Sequence, residues 1–353
     1  MSLHREDLPE EILAQLRHGV VIPAHPLALT EARHLDQRHQ RALTRYYLDA
    51  GAGGLAVGVH STQFEIRDVG LYEPVLRLAA ETARAWTDGP TVMIAGMVGS
   101  TEQALAEAEV ALGLGYHAGL LSLAAHKGAT EDELIAHCQA VANRIPLIGF
   151  YLQPAVGGIL LSAEFWRRFA AIDNVIAIKV APFNRYRTLD VMRGVVAAEA
   201  EGRISLYTGN DDHILLDLVT PFAVRRDDET VVLRFKGGLL GHWCAWVKPA
   251  VDYLTRAHDA AAAGSVDAAL LQLDSQITDA NGALFDVAND FAGCIPGCHE
   301  VLRRQGLLQG TWCLNPDEVM SPGQAEELDR VIADYPHLCD DEFVAENLER
   351  WLA

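Results

Sequence analysis

The chain has 353 residues, half of them hydrophobic and 22% charged, a balance that supports a sizeable core and excludes a disordered chain. Its formal net charge of −20 argues against nucleic acid and anionic membrane surfaces as partners. Six scattered cysteines form no C-x-x-C pair and no apolar run reaches the length of about 18 residues that a membrane helix needs, so a reduced, soluble, cytoplasmic protein is expected.

Residues 7–18 read as a short amphipathic helix with Pro9 in its first turn, and residues 1–19 hold no apolar core of signal type. Gly19 opens V-V-I-P-A, a first buried strand. Residues 36–50 carry helical spacing in Leu43, Tyr46, Tyr47 and Ala50, closed by Gly51. A second strand over 54–59 runs into the loop H-S-T-Q-F-E. The alternation then continues through helix 71–87, strand 91–96, a helix capped by Ser100, strand 118–123 and helix 130–143. Strand 146–152, helix 162–171, strand 175–180, helix 188–201 and strand 204–208 follow. Asn210 or Asp211 is expected to cap the next helix, which ends near Thr220–Pro221, before a last strand at 238–241.

Eight strand–helix periods of roughly thirty residues are the pattern of a (β/α)8 TIM barrel. A doubly wound sheet would place a glycine-rich phosphate turn after the first strand, where V-I-P-A-H-P stands instead. The charged stretch 224–236 reads as an inserted loop or small hairpin. Beyond 250 the pattern is helical only, over 250–277, 295–306, 322–333 and 341–352. The expected division is a barrel over 1–249 and a C-terminal helical subdomain over 250–353.

Within this frame N-V-I-A-I-K-V-A-P, residues 174–182, places a lysine on a strand buried on both faces. Burying an ammonium ion costs several kcal/mol unless it is paired or deprotonated, so Lys179 is a candidate neutral amine nucleophile. The alternative is a strand-end lysine that snorkels to water. The chain has only four lysines, and Lys127, Lys236 and Lys248 lie outside such strands. Barrels carry their chemistry at the C-terminal strand ends. Those ends offer His25, then His60–Ser61, then His126, then Tyr151 and Gln153, then Lys179, then Asn210–Asp211, then His242. A tyrosine facing the lysine from the adjacent strand would relay protons while an imine forms and a C–C bond breaks or forms. A metal-dependent hydrolase or lyase using His25, His60, His126, Asp211 and His242 is the rival. It lacks an H-x-H after the first strand and paired carboxylates. A barrel that binds a metabolite without catalysis is the third reading. C-I-P-G-C-H, residues 294–299, reads as ordinary packing.

The landmarks G-A-G-G-L-A-V-G (51–58), I-A-G-M-V-G-S-T-E-Q-A (94–104) and G-Y-H-A-G-L-L-S (115–122) carry a resemblance. Y-L-Q-P-A-V-G-G (151–158), N-V-I-A-I-K (174–179), Y-T-G-N-D-D (207–212) and the helix 295–307 complete it. The chain resembles the dihydrodipicolinate synthase and N-acetylneuraminate lyase superfamily of class I, Schiff-base aldolases, over about residues 18–333. The resemblance implies that Lys179 forms the imine and Tyr151 relays protons, with no metal and no cofactor, in a homotetramer or homodimer. Two departures bear on substrate. G-V-H-S-T-Q (58–63) replaces the loop that holds the pyruvate carboxylate, and Val156 occupies the place of an arginine. Both argue against dihydrodipicolinate synthase activity itself. The expectation is a Schiff-base lyase acting on a 2-oxo acid or related small carbonyl compound, by aldol chemistry or dehydration. Its expected substrate-facing residues are Val59, His60, Ser61, Val156, Asn210, His25 and His242, with His60 alternatively a hydrogen-bonded structural histidine.

Overall fold

A computed structural model describes residues 2–353; Met1 lies outside the described residues. Eight parallel strands make the barrel wall. In chain order these are β1 (Val21–Pro23), β2 (Gly54–Val57), β3 (Val92–Met97), β4 (Ala118–Leu121), β5 (Leu147–Tyr151), β6 (Val175–Val180) and β7 (Ser205–Thr208). After an antiparallel hairpin, β8 (Phe222–Arg226) and β9 (Glu229–Leu233), the wall ends with β10 (Phe235–Leu240). The sheet runs β1-β10-β7-β6-β5-β4-β3-β2. A parallel bridge between Ala24 and Ala56 joins its two edges, with the His25 N–H donating to the Ala56 carbonyl at 2.9 Å. The hairpin is the insertion expected over 224–236.

Strand alternation divides the apolar residues into two clusters. The inner one fills the barrel with Ile22, Ala56, Ile94, Leu120, Ile148 and Leu239. Helix α1 (Glu10–His18) plugs the lower end with Ile12 and Leu16. The outer cluster lies between the strands and a ring of helices, α2 (Gln37–Ala50), α3 (Tyr72–Trp86), α4 (Thr101–Gly113), α5 (Glu131–Ala142), α6 (Ala163–Ala170), α7 (Arg185–Ala197) and α8 (Ile214–Val219). Their starts follow local chemistry. The Ser100, Thr130 and Ser162 side chains each accept a hydrogen bond from the third amide of the helix that follows.

The stretch 250–277, expected as one helix, is two. Helix α9 (Val247–Ala263) ends at Gly264, whose φ of 69° suits a glycine cap, and α10 (Ala268–Leu284) begins after the Asp267 cap. Helix α9 packs against α2, α8 and β1 and so completes the ring. The division at 249/250 falls inside it. Helices α10, α11 (Cys294–Arg304), α12 (Gln324–Asp334) and α13 (Asp341–Leu352) form the C-terminal helical subdomain. No helix among the described residues is long and apolar enough to cross a membrane.

Candidate active site

The C-terminal ends of the strands open into a cavity. Lys179 enters it from the inner face of β6, only 8% exposed. Its register partner on β5 is Phe150, and its amine lies 4.5 Å from the centre of that ring. Burial lowers the lysine pKa to about 8, against the nearby charge of Asp211, which raises it. Gly209, just past β7, gives the lysine stem its room. A Cβ there would sit 2.6 Å from Lys179 Cε and 2.7 Å from Ala181 Cβ.

Asp211 is the second charged group on the wall, 5% exposed. Burial raises its pKa to about 7, while a hydrogen bond from the His242 N–H (2.9 Å) and the charge of Lys179 pull it down. A buried amine and a buried carboxyl, each displaced toward neutrality by burial, feel each other's charge, so their titrations are linked. The chain after β2 forms a single turn, His60–Thr62. Thr62 Oγ1 fixes it by accepting the Gly58 N–H (2.9 Å) and donating to the His25 carbonyl (2.6 Å). Val59, His60 and Ser61 consequently line the cavity. Burial, and then the charge of Lys179, lower the His60 pKa to about 4, so its imidazole is neutral at pH 7. The rest of the wall is mostly apolar, with Phe183, Phe285, Phe291, Val156 and Cys294 prominent, and no arginine among the described residues lines it.

Of the expected site residues, Lys179, Val59, His60, Ser61 and Val156 meet in the cavity. Four do not. Tyr151 is the first correction. Residues 148, 150 and 152 face inward, so alternation turns Tyr151 outward into the layer between β5 and α6. Its ring lies 5.3 Å from that of Trp166, and its phenol accepts the Leu161 N–H and donates to the Leu161 carbonyl. Asn210 also points away. Its side chain donates to Asp217 (2.8 Å) and accepts the Phe183 N–H (3.0 Å). His25 is enclosed by Thr44, Gln40 and the Pro26 carbonyl, and burial lowers its pKa to about 4. The His242 ring turns toward Asn281 and Trp246, and only its backbone reaches the site through Asp211.

Neither Asn210 nor Asp211 caps α8. Its second and third amides, those of Leu215 and Leu216, donate instead to Asp274 of α10, at 2.9 and 3.0 Å. A cap supplied 59 residues away leaves no local signal. The histidines of the metal reading do not converge, since His25 is enclosed and His126 binds the Gly99 carbonyl. No cluster of three metal-binding side chains occurs among the described residues. Sequence reading passed over Phe183, Phe285 and Phe291, which belong to loops and the C-terminal subdomain, read Cys294 as packing, and read Asp211 as a helix cap or a ligand of the metal alternative.

The chain is similar to several known proteins. A 4-hydroxy-tetrahydrodipicolinate synthase of Anaeromyxobacter dehalogenans is 26% identical over 226 residues, covering 59% of this chain and 72% of that protein. N-acetylneuraminate lyase 2 of Escherichia coli is 24% identical over 196 residues, 54% of this chain and 61% of the relative. The structure of the chloride-inhibited dihydrodipicolinate synthase of Acinetobacter baumannii, complexed with pyruvate, shares the fold with a TM-score of 0.74 at 19% identity. It covers 90% of this chain and 99% of that one. The Dihydrodipicolinate synthetase family matches residues 18–220, the segment that carries Lys179 and Asp211, and the chain belongs to that family of class I aldolase-type lyases.

Proposed function

We propose that Lys179 forms an imine with a 2-oxo acid or related carbonyl compound, and that Asp211 moves the protons. The observation that carries this reading is the enclosure of one amine and one carboxyl in the same cavity, with burial pushing each toward its neutral form. The neutral amine adds to the carbonyl carbon, forming the C–N bond as the oxygen takes up a proton. Protonated Asp211 then donates to the departing hydroxyl, and water leaves as the imine forms. The protonated imine withdraws electrons from the adjacent carbon, so a C–C or C–O bond next to it breaks or forms. Asp211, now a carboxylate, accepts the proton that this step releases. Water returning to the imine frees Lys179.

Ser61 and the neutral His60 stand where they can hydrogen-bond the substrate's carboxylate. With no arginine on the wall, a second carboxylate would be desolvated without a charge partner, which disfavours dihydrodipicolinate synthase activity. The same family reading suggests a homodimer or homotetramer, which light scattering on purified protein measures. Borohydride reduction in the presence of a panel of 2-oxo compounds, followed by peptide mass mapping, tests the mechanism. The adduct should map to Lys179. An adduct at Lys127 or Lys248, or none with any compound, would refute it.

A further inference from the structure

Two phenylalanines meet at the cavity mouth in backbone conformations that phenylalanine rarely adopts. Phe183, in the loop after β6, has φ 49°, and Phe291, in the turn between α10 and α11, has φ 68°. For an L-residue with a bulky side chain the left-handed region is unfavourable, and it persists where surrounding structure over-determines it, often at ligand sites. Both residues are over-determined here. Asn210 Oδ1 accepts the Phe183 N–H at 3.0 Å. Asp286, itself at φ 56°, gathers the other turn with its carboxylate, accepting from the Gly293 N–H (2.9 Å), Asn289 Nδ2 (2.7 Å) and the Ser321 hydroxyl.

The ring centres lie 6.1 Å apart with their planes at 68°, an edge-to-face pair. Strain accepted for core packing would end in full burial, yet both rings are only half-buried and both line the cavity. A barrel loop and a subdomain turn are thus separately strained to present aromatic surface to the same space. Phe285 stands on the same wall, and a Cβ at Gly241 would lie 2.6 Å from its Cζ, so the backbone there is bare where this ring packs.

Resting on the imine reading of Lys179, we infer that Phe183, Phe291 and Phe285 hold an aromatic or similarly flat apolar substituent of the carbonyl substrate. The preferred compounds are arylated 2-oxo acids with no second carboxylate. A second carboxylate would find no free charge partner, because among the described lining residues the basic side chains are Lys179, which the imine occupies, and the neutral His60.

Rates of borohydride-trapped adduct formation with phenylpyruvate, pyruvate and 2-oxoglutarate test the inference. Wild-type protein should favour phenylpyruvate over 2-oxoglutarate by about tenfold or more. In Phe291→Asn and Phe183→Asn, which remove a ring while keeping a residue that tolerates positive φ, the phenylpyruvate-to-pyruvate ratio should fall by about tenfold. Thermal melting verifies that each variant folds. A wild-type preference for pyruvate or 2-oxoglutarate, or a ratio unmoved in both variants, overturns the inference. Calorimetric titration with 3-phenylpropionate and propionate separates it from the imine chemistry. If no adduct forms with any compound, tighter binding of 3-phenylpropionate that weakens by about tenfold in Phe291→Asn still supports the aromatic subsite. Equal binding of the two probes overturns it.

Discussion

Replacing Lys179 with methionine should make the protein more stable as well as inert. The side chain is almost wholly buried, and methionine fills a similar volume without a charge. A drop in pKa from 10.5 to about 8 is equivalent to a penalty of about 3 kcal/mol for holding the charged amine in the folded state. Part of that gain is returned, because the amine's charge also holds down the pKa of Asp211. Without it Asp211 takes up a proton, which near neutral pH costs little. The expected net stabilisation at pH 7 is about 1–3 kcal/mol, or about 1–4 °C in Tm for a chain of this length unfolding as one unit. The sign of the pH dependence follows from the direction of the shift. Below the folded pKa both states carry the proton, and the penalty is complete. Between about 8 and 10.5 the unfolded lysine binds more protons than the folded one, so wild-type stability gains with rising pH from this group. The variant's advantage must therefore narrow in that window. Calorimetry of both proteins at about pH 7 and about pH 9.5 reads the difference. A variant less stable at pH 7, or an advantage equal at both values, refutes the burial argument.

Asp211→Asn should slow imine formation by roughly 10²–10⁴-fold through loss of proton transfer. It should also move the pH profile of trapping to lower pH, because the carboxylate charge raises the pKa of Lys179; an unmoved profile would show that the two groups do not interact. Gly209→Ala puts a methyl group 2.6 Å from Lys179 Cε, so trapping should be lost in a protein that still folds by circular dichroism. Full trapping would mean the lysine stem has another path. Tyr151→Phe removes a phenol bonded to Leu161 outside the cavity, so urea unfolding should show a loss of about 1 kcal/mol with trapping rates nearly intact. A kinetic loss of 10²-fold or more would place Tyr151 in the mechanism after all.

The sequence makes the barrel legible because its signals are local. Short β-branched runs, helical spacing and caps such as Ser100 and Thr130 each act within a few residues. Lys179 was legible for the same reason, a charge placed in an apolar strand. Tyr151 misleads because a one-residue change of position on a strand reverses the face. The β5–β6 pairing is irregular between Leu147 and Ile148, which sets Phe150 and not Tyr151 beside Lys179. Asp211 misleads because a carboxyl before a helix normally caps it. Asp274, from α10, takes that position and frees Asp211 for the cavity. His25 shows the converse. Its place at a strand end suggested a substrate contact, yet Thr44 and Gln40 satisfy both ring nitrogens behind the wall.

The C-terminal helices therefore belong to the site's chemistry as much as to its stability. Asn281 of α10 contacts the His242 ring, and the His242 N–H holds Asp211. Asp274 relieves Asp211 of capping α8. Phe285, Phe291 and Cys294 close the cavity from the same subdomain, and with Gly241 they all lie beyond residue 220, where the family match ends. The residues proposed to form the imine and move its protons lie within the matched segment; Phe285, Phe291 and Cys294, the collar that the subdomain supplies, do not. A wall so divided lets the collar change while the amine and carboxyl keep their positions. That division would let the proposed imine chemistry coexist with a substrate preference of this chain's own.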